Sequence, residues 1–262
     1  MTLGFDFEKF RTLLESFGAA PIRNVVVHSV IDSTSNDLKR RLENGAPPGT
    51  LVAARQQTAG RGRSGREWVS EAVGNLYLSI SLDVADRSLE NVPLVPLAAG
   101  IAAWEAVRDA CDVLPELKWP NDVLVNGRKL AGILTELISV GNSRPVVVVG
   151  IGVNTGTPSF PPALRDIAVS VPMLTGETAD PSAVAARFVY ELGSWIQRIG
   201  NGERADLVAA WRERAEPFGR RVRVGEIEGM TRDLTPDGRL LIVKNDGVVV
   251  EVVGGIVESI YD

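Results

Sequence analysis

Cysteine and histidine are almost missing from these 262 residues, with one of each, Cys111 and His28. A single cysteine excludes an internal disulfide framework, and the reading is a protein of a reducing, cytoplasmic compartment. The two residues are also too few for a Cys/His zinc site within one chain. His28 sits in the apolar run Asn24–Val30 with no partner nearby in sequence, so it reads as a strand residue rather than a general base. Cys111 closes an apolar helical stretch and reads as a small buried hydrophobe. No apolar run reaches the ~18 residues of a membrane span. The opening residues Met1–Phe7 lack the basic and apolar regions of a secretory signal. Positive charge is not in excess either: 28 Lys and Arg stand against 33 Asp and Glu, for a net charge of −5. That balance argues against general nucleic-acid binding.

Against this acidic background, Gln57–Arg66 is conspicuous. Gly60-Arg61-Gly62-Arg63-Ser64-Gly65-Arg66 puts three arginines and three glycines into seven residues. Glycines keep such a segment from settling into helix or strand and let backbone approach a ligand closely. Arginines offer planar donor forks to carboxylate and phosphate. A cationic loop on an acidic protein favours a small anionic ligand over a polyanion.

The chain is long enough for one large domain and a small one. Helical spacing predicts a short amphipathic helix from Phe5 to about Ala20. A strand over Asn24–Val30, a helix over Asn36–Glu43 and a strand over Leu51–Arg55 follow. Gly74–Val84 alternates as a half-buried strand. Pro93–Cys111 reads as a packed helix. Asn126-Gly127 between two apolar runs predicts a hairpin that brings Lys118–Asp122 near Lys129. The valines of Pro145–Gly152 predict a strand buried on both faces. Helices are expected from Asp180-Pro181 to about Ile199 and from about Glu203 to Glu216. After Pro217, short Val/Ile-rich runs between glycine turns predict a small β-barrel.

Four polar segments punctuate this order. Asp32-Ser33-Thr34-Ser35-Asn36 precedes a helix, and alone it reads as a cap. The arginine loop alone reads as a solvated basic surface. Lys118-Trp119-Pro120-Asn121-Asp122 alone is a well-made turn, and Lys129 alone an exposed strand lysine. Together DSTSN, QQTAGRGRSGREW, GNLYLSI, KWPNDVLVNGRKLAGIL and VVGIGVN, in this order, closely resemble the biotin–protein ligases. The resemblance runs from about Asn24 to the end of the chain.

The resemblance implies an α+β fold: a mixed β-sheet with packed helices, of the class II synthetase-like type, over residues 24–216. An N-terminal helical extension at 1–23 and an SH3-like β-barrel at 217–262 complete it. It also implies ATP and biotin as substrates with Mg²⁺, biotinyl-5′-AMP as intermediate, and a biotin carboxyl carrier domain as acceptor. Ser33, Thr34, Ser35 and Gln57 would bind the ureido ring, with Ser35 standing where asparagine is frequent. Gly60, Arg61, Gly62, Arg63, Lys129 and Gly132 would surround the rest of biotin and its carboxylate. Arg63, Arg66, Trp68, Lys118, Asn121, Asp122, Lys129 and Asn154 would border the nucleotide, with Trp68 or Trp119 as its aromatic face. Lys129, Arg63 and Arg61 would stabilise charge in transfer, and Asp122 would orient or deprotonate the acceptor amine. No protein-held metal is implied.

The 23 residues before Asn24 fall short of the roughly 50 that an autonomous domain needs. The expectation is therefore an enzyme without DNA-binding repression. The resemblance is also consistent with a homodimer formed through an exposed sheet edge, and no membrane partner is expected. The rival readings are a lipoate or octanoate ligase or transferase and a non-catalytic sensor of biotinyl-AMP.

Overall fold

The computed structural model describes residues 4–18, 22, 24–70, 74–83, 89–139 and 145–260. The expected element ends at Ala20 and Val84 lie outside these residues. Strands β1 (Asn24–Ile31), β2 (Thr50–Gln57), β3 (Leu76–Asp83), β4 (Glu116–Lys118), β5 (Asp122–Val125), β6 (Arg128–Ile138) and β7 (Val146–Val153) form one mixed sheet. Its order is β1-β2-β3-β7-β6-β5-β4. Only β1 and β2 run parallel, and helix α2 (Thr34–Glu43) makes the crossover between them. Every other neighbouring pair is antiparallel.

One face of the sheet is fully covered. Helices α1 (Phe7–Ser16), α3 (Val95–Cys111), α5 (Pro181–Gly200) and α6 (Arg204–Arg214) pack there around one large apolar cluster. Alanines 98, 99, 102, 103 and 106 are buried along α3. Their small side chains let neighbouring elements approach closely. On the second face α2 covers only part of the sheet, burying Leu38 and Leu42 against Val52, Val146 and Val148. The remainder of that face is left for other use, because β6 and β7 carry glycines there instead of side chains.

The Asn126-Gly127 hairpin forms as its sequence predicts, with φ of 51° and 73° at the two positions, the pairing of signs that a type I′ turn requires. The valine-rich β7 is buried along its whole length. Several expectations need correction. β3 is buried on both faces from Leu76 to Ser81 rather than on one, because α2 lies on its polar side. α3 begins at Val95, after a 3₁₀ segment over Leu89–Leu94 that contains Pro93. Pro96 falls in the first helical turn, where its missing N–H has no partner to lose. The three-residue β4 is unforeseen, since it is too short to show a period. The five-residue α4 (Val171–Thr175) is unforeseen for the same reason.

The N-terminal helix belongs to the core. Phe5 and Phe10 are buried against each other with ring centroids 5.4 Å apart. The Asp6 amide donates to Ser182 Oγ on α5 at 2.8 Å, and Lys9 pairs with Asp180 at 2.5 Å. Cys111 is buried and unbridged, and burial pushes its thiol up to about 12. His28 lies on β1 with Nε2 2.9 Å from Asp37 Oδ2.

Past Arg214 the chain turns to β8 (Arg221–Val224), β9 (Ile227–Leu234), β10 (Leu240–Lys244), β11 (Val249–Val252) and β12 (Glu258–Ser259). These form an antiparallel sheet in the order β11-β10-β9-β8-β12. This is the expected small C-terminal β module, and among the described residues its end strands β11 and β12 are not paired with each other. Among the described residues, no helix is long and apolar enough to cross a membrane.

Candidate active site

The site occupies the uncovered half of the second sheet face. Ser33 caps α2, so Thr34 and Ser35 sit in its first turn. Gln57 ends β2, and its Oε1 accepts from the Thr34 amide at 2.8 Å and from the Thr34 hydroxyl at 3.2 Å. Ser79 on β3 lies 2.9 Å from Thr34 Oγ1 and 3.0 Å from Ser35 Oγ. Gln57 Nε2 donates to Ser70 Oγ at 2.9 Å. All of these residues are buried. The closed end of the site is therefore a linked set of hydroxyl and amide groups that can serve a neutral N–H/C=O ring as donors and acceptors.

The floor is built from glycine. Gly132 on β6 pairs with Gly152 on β7, and Gly150 lies two residues away on the same face. A Cβ on Gly152 would stand 2.6 Å from the Trp68 indole. One on Gly132 would stand 2.9 Å from both Trp68 and the Lys129 stem. Trp68 thus lies directly against the backbone of two strands, with its indole Nε1 buried and unpaired.

The cations gather at the edge of that floor. Lys129 Nζ is 2.6 Å from Asp122 Oδ1 and 5.3 Å from the centre of the Trp68 ring. Arg63 Nη1 donates to Asn121 Oδ1 at 3.2 Å, and Asn121 Nδ2 donates to the Ile133 carbonyl at 2.7 Å. Burial pushes the Arg63 guanidinium below its ordinary pKa, with Asp122 opposing, and it remains a cation at neutral pH.

Two cavities meet here. The slot over the glycine floor, with Ser33, Thr34, Ser35 and Gln57 at its polar end, has a volume of about 50 Å³. The second, of about 310 Å³, is bordered by Arg66, Lys118 and Asn154, and by Gly255, Ile256 and Val257 from the C-terminal sheet. Gly62, Arg63, Trp68, Asn121 and Lys129 line both. The two cavities are therefore halves of one site, and the cations mark the junction.

Some of the expected residues do something else. Gly60 borders neither cavity, and a Cβ there would run into the Trp68 carbonyl and the Ser70 hydroxyl. Asn154 donates its side-chain amide to the Val169 carbonyl at 3.0 Å, bracing the loop beside Lys129. Trp119 lines the larger cavity but not the slot, and donates Nε1 to the Gly238 carbonyl of the C-terminal sheet at 3.0 Å. Trp68 is thus the aromatic face between the cavities. Arg61 lines the slot, but its guanidinium rests on Glu136. Sequence reasoning passed over Ser79, Glu136 and the 255–257 wall. Ser79 alternates with apolar residues in β3 and so looks like one more position of a solvent face.

The biotin/lipoate A/B protein ligase family profile matches residues 27–154, and the biotin protein ligase C-terminal domain matches residues 218–258. The biotin–[acetyl-CoA-carboxylase] ligase of Mycobacterium tuberculosis is 35% identical over 244 residues, covering 90% of this chain and 89% of that one. The chain belongs to the biotin protein ligase family. The bifunctional ligase/repressor of Bacillus subtilis is 31% identical over 86% of this chain and 71% of its own. Among solved structures, the Aquifex aeolicus biotin protein ligase in complex with biotin and ATP superimposes with a TM-score of 0.78 at 28% identity. That match covers 90% of this chain and 98% of the Aquifex chain. The ligase fold thus extends over both the catalytic sheet and the C-terminal sheet.

Proposed function

We propose that the protein activates biotin with ATP and transfers the biotinyl group to a lysine of a biotin carboxyl carrier domain. The observation that carries this is the meeting of a polar-ended slot and a larger cavity at Lys129, Arg63 and Asn121. Biotin's ring belongs at the polar end, among Thr34, Ser35, Gln57 and Ser79, and its carboxylate at the junction. The adenylate moiety belongs in the larger cavity, with Trp68 and Asn121 at its near edge and the C-terminal sheet as its far wall.

The chemistry needs two anions brought together. Biotin's carboxylate oxygen attacks the α-phosphorus of ATP, the bond to the β-phosphate bridge breaks, and pyrophosphate leaves. Lys129 and Arg63 offset the repulsion between the anions and stabilise the charge developing at phosphorus. Until ligand arrives, Asp122 holds the Lys129 ammonium in place. In the second step the carrier lysine's amine attacks the acyl carbon and AMP leaves with the bonding pair. Asp122, freed from Lys129, is placed to orient the amine or accept its proton. Among the described residues no group of three or more His, Cys, Asp or Glu side chains forms a metal cage. Mg²⁺ would enter on the phosphates of ATP, as is usual for that ion.

The slot is small, at about 50 Å³. Trp68, wedged on Gly132 and Gly152 with an unpaired indole nitrogen, is the side chain whose movement opens it. The outer edge of β1 has no partner strand among the described residues, and Val27 and Val30 are exposed along it. Main-chain pairing there would serve a carrier strand or a second copy of the chain. The setting we assign is the cytoplasm, with no nucleic-acid partner.

The test is pyrophosphate exchange into ATP with biotin, lipoate and octanoate offered separately. Exchange with biotin alone, followed by label transfer to an apo carrier domain, is expected. Exchange only with lipoate or octanoate would move the protein to the other branch of the family. Biotin binding without exchange would leave a sensor.

A further inference from the structure

We propose that Glu136 straps the arginine loop over the site, and that the task of Arg61 is to be held by it rather than to touch the ligand. This positioning role rests on the ligase reading only in naming what lies beneath the loop.

Glu136 falls on β6, on the same face as Gly132 and Leu134, two residues beyond Leu134, which lines the slot. It faces the arginine loop across the slot's mouth. Arg61 Nη2 lies 3.0 Å from Glu136 Oε1 and Arg61 Nη1 3.3 Å from Oε2, a two-pronged pair. Lys39 of α2 reaches Glu136 Oε1 at 2.6 Å. Arg61 Nη1 also donates to Asn36 Oδ1 at 3.1 Å, on the first turn of α2. Asn36 in turn reaches Asp32, which Arg40 grips with two hydrogen bonds of 2.8 Å. One continuous chain of charged and amide groups therefore crosses from α2 through Arg61 to β6.

Just before the loop, Thr58 N donates to the Ile31 carbonyl at 2.9 Å and Ala59 N to the Asp32 carbonyl at 2.8 Å, tying its start to the end of β1. The loop itself is a tight reversal: Gly62 N donates to the Arg66 carbonyl at 2.8 Å and Trp68 N to the Gly60 carbonyl at 3.0 Å. Ser64 and Gly65 turn the chain with φ of 53° and 75°. The opposite anchor is Arg63 on Asn121. Glu136 and Asn121 thus hold the loop from two sides, and Trp68 at its C-terminal foot is carried with it. Both Nη atoms of Arg61 are engaged by Glu136 and Asn36. A bidentate pair inside a network holds better than an isolated surface pair.

The strap sets how long the loop stays shut, which for a reactive intermediate means how long water and bulk are kept away. It leaves Lys129 and Arg63 to face the reacting groups. Glu136→Gln should therefore shorten the retention of enzyme-bound biotinyl-AMP by roughly fivefold, while the pyrophosphate-exchange kcat changes less than twofold. An Arg61→Gln/Glu136→Gln pair should be no worse than Arg61→Gln alone, since both remove one interaction. If Arg61 acts on the ligand directly, Glu136→Gln frees it and lengthens retention, and the double variant is worse than either single one. That result overturns the proposal.

A ligand-free measurement separates this proposal from the ligase reading. Trypsin should cut after Arg63 and Arg66 several times faster in Glu136→Gln than in the parent protein, with thermal stability unchanged. Equal cutting rates would overturn the strap whatever the chemistry. Faster cutting in a protein that forms no adenylate with any acid would sustain the strap and remove the assigned reaction.

Discussion

The floor and the cover of this site are made by opposite means. The floor is the β6–β7 pair, joined along an unbroken antiparallel ladder from Ala131–Val153 to Ile138–Val146 and buried through β7. The cover is a short reversal between Arg61 and Glu67 that shares one isolated bridge and is held by side chains that are partly in water. Position is fixed by backbone pairing, which cannot drift without breaking the sheet. Duration is fixed by a few ion pairs and hydrogen bonds, each of which breaks and reforms easily. An enzyme that must first hold and then hand over a labile anhydride needs both behaviours side by side.

Substitutions can break this division, beginning where the expected effect is largest. Lys129→Ala removes a cation at the junction of the cavities and should lower pyrophosphate exchange by roughly a hundred- to a thousandfold, with the circular-dichroism melt unchanged. Normal exchange would take the lysine out of the chemistry. Gly152→Val fills the floor where a Cβ alone would come within 2.6 Å of Trp68. Biotin affinity measured by calorimetry should fall at least about tenfold, and an unaltered affinity would show that ligand never reaches this face. Arg63→Gly removes the Asn121 anchor, and the half-life of bound adenylate should drop by about tenfold, followed by gel filtration of the labelled complex. An unchanged half-life would place closure elsewhere.

The smallest effect at neutral pH concerns the core. Burial lifts the Cys111 thiol to about 12 from its ordinary 9.0, so the folded chain keeps a proton that the unfolded chain releases. Stability from this source is complete below pH 9 and is lost as pH rises toward 12. Cys111→Ala should flatten that part of the melting-temperature profile while leaving pH 7 little changed. In the parent protein, thiol alkylation at pH 8 should proceed only at the rate of global unfolding, far more slowly than trypsin cuts the loop. Equal rates for the two reactions would mean that cover and floor open together, and the contrast between them would fail.

Much of the floor was legible in the sequence, and little of the network around it. Asn126-Gly127 announced its hairpin because both positions take positive φ, a demand few residue pairs meet. The valines of β7 announced a doubly buried strand. The alternation in β3 misled, because Ser79 and Ser81 look like a solvent face and are buried by α2 and by hydrogen bonds. Glu136 gave no signal, since its partners lie 75 and 97 positions away and a glutamate near a strand end is ordinary. The 255–257 wall was hidden for the same reason: it reaches the site only when a second sheet docks.

That docking has a consequence for how such a chain can be dissected. The Trp119 indole sits two residues from Asn121 of the site and donates to Gly238 in the other sheet, while Gly255–Val257 close the larger cavity. Neither half is a self-sufficient module. Cutting the chain near Pro217 would leave a pocket with one side missing and a tryptophan with nothing to hold. The C-terminal sheet is therefore no removable appendage.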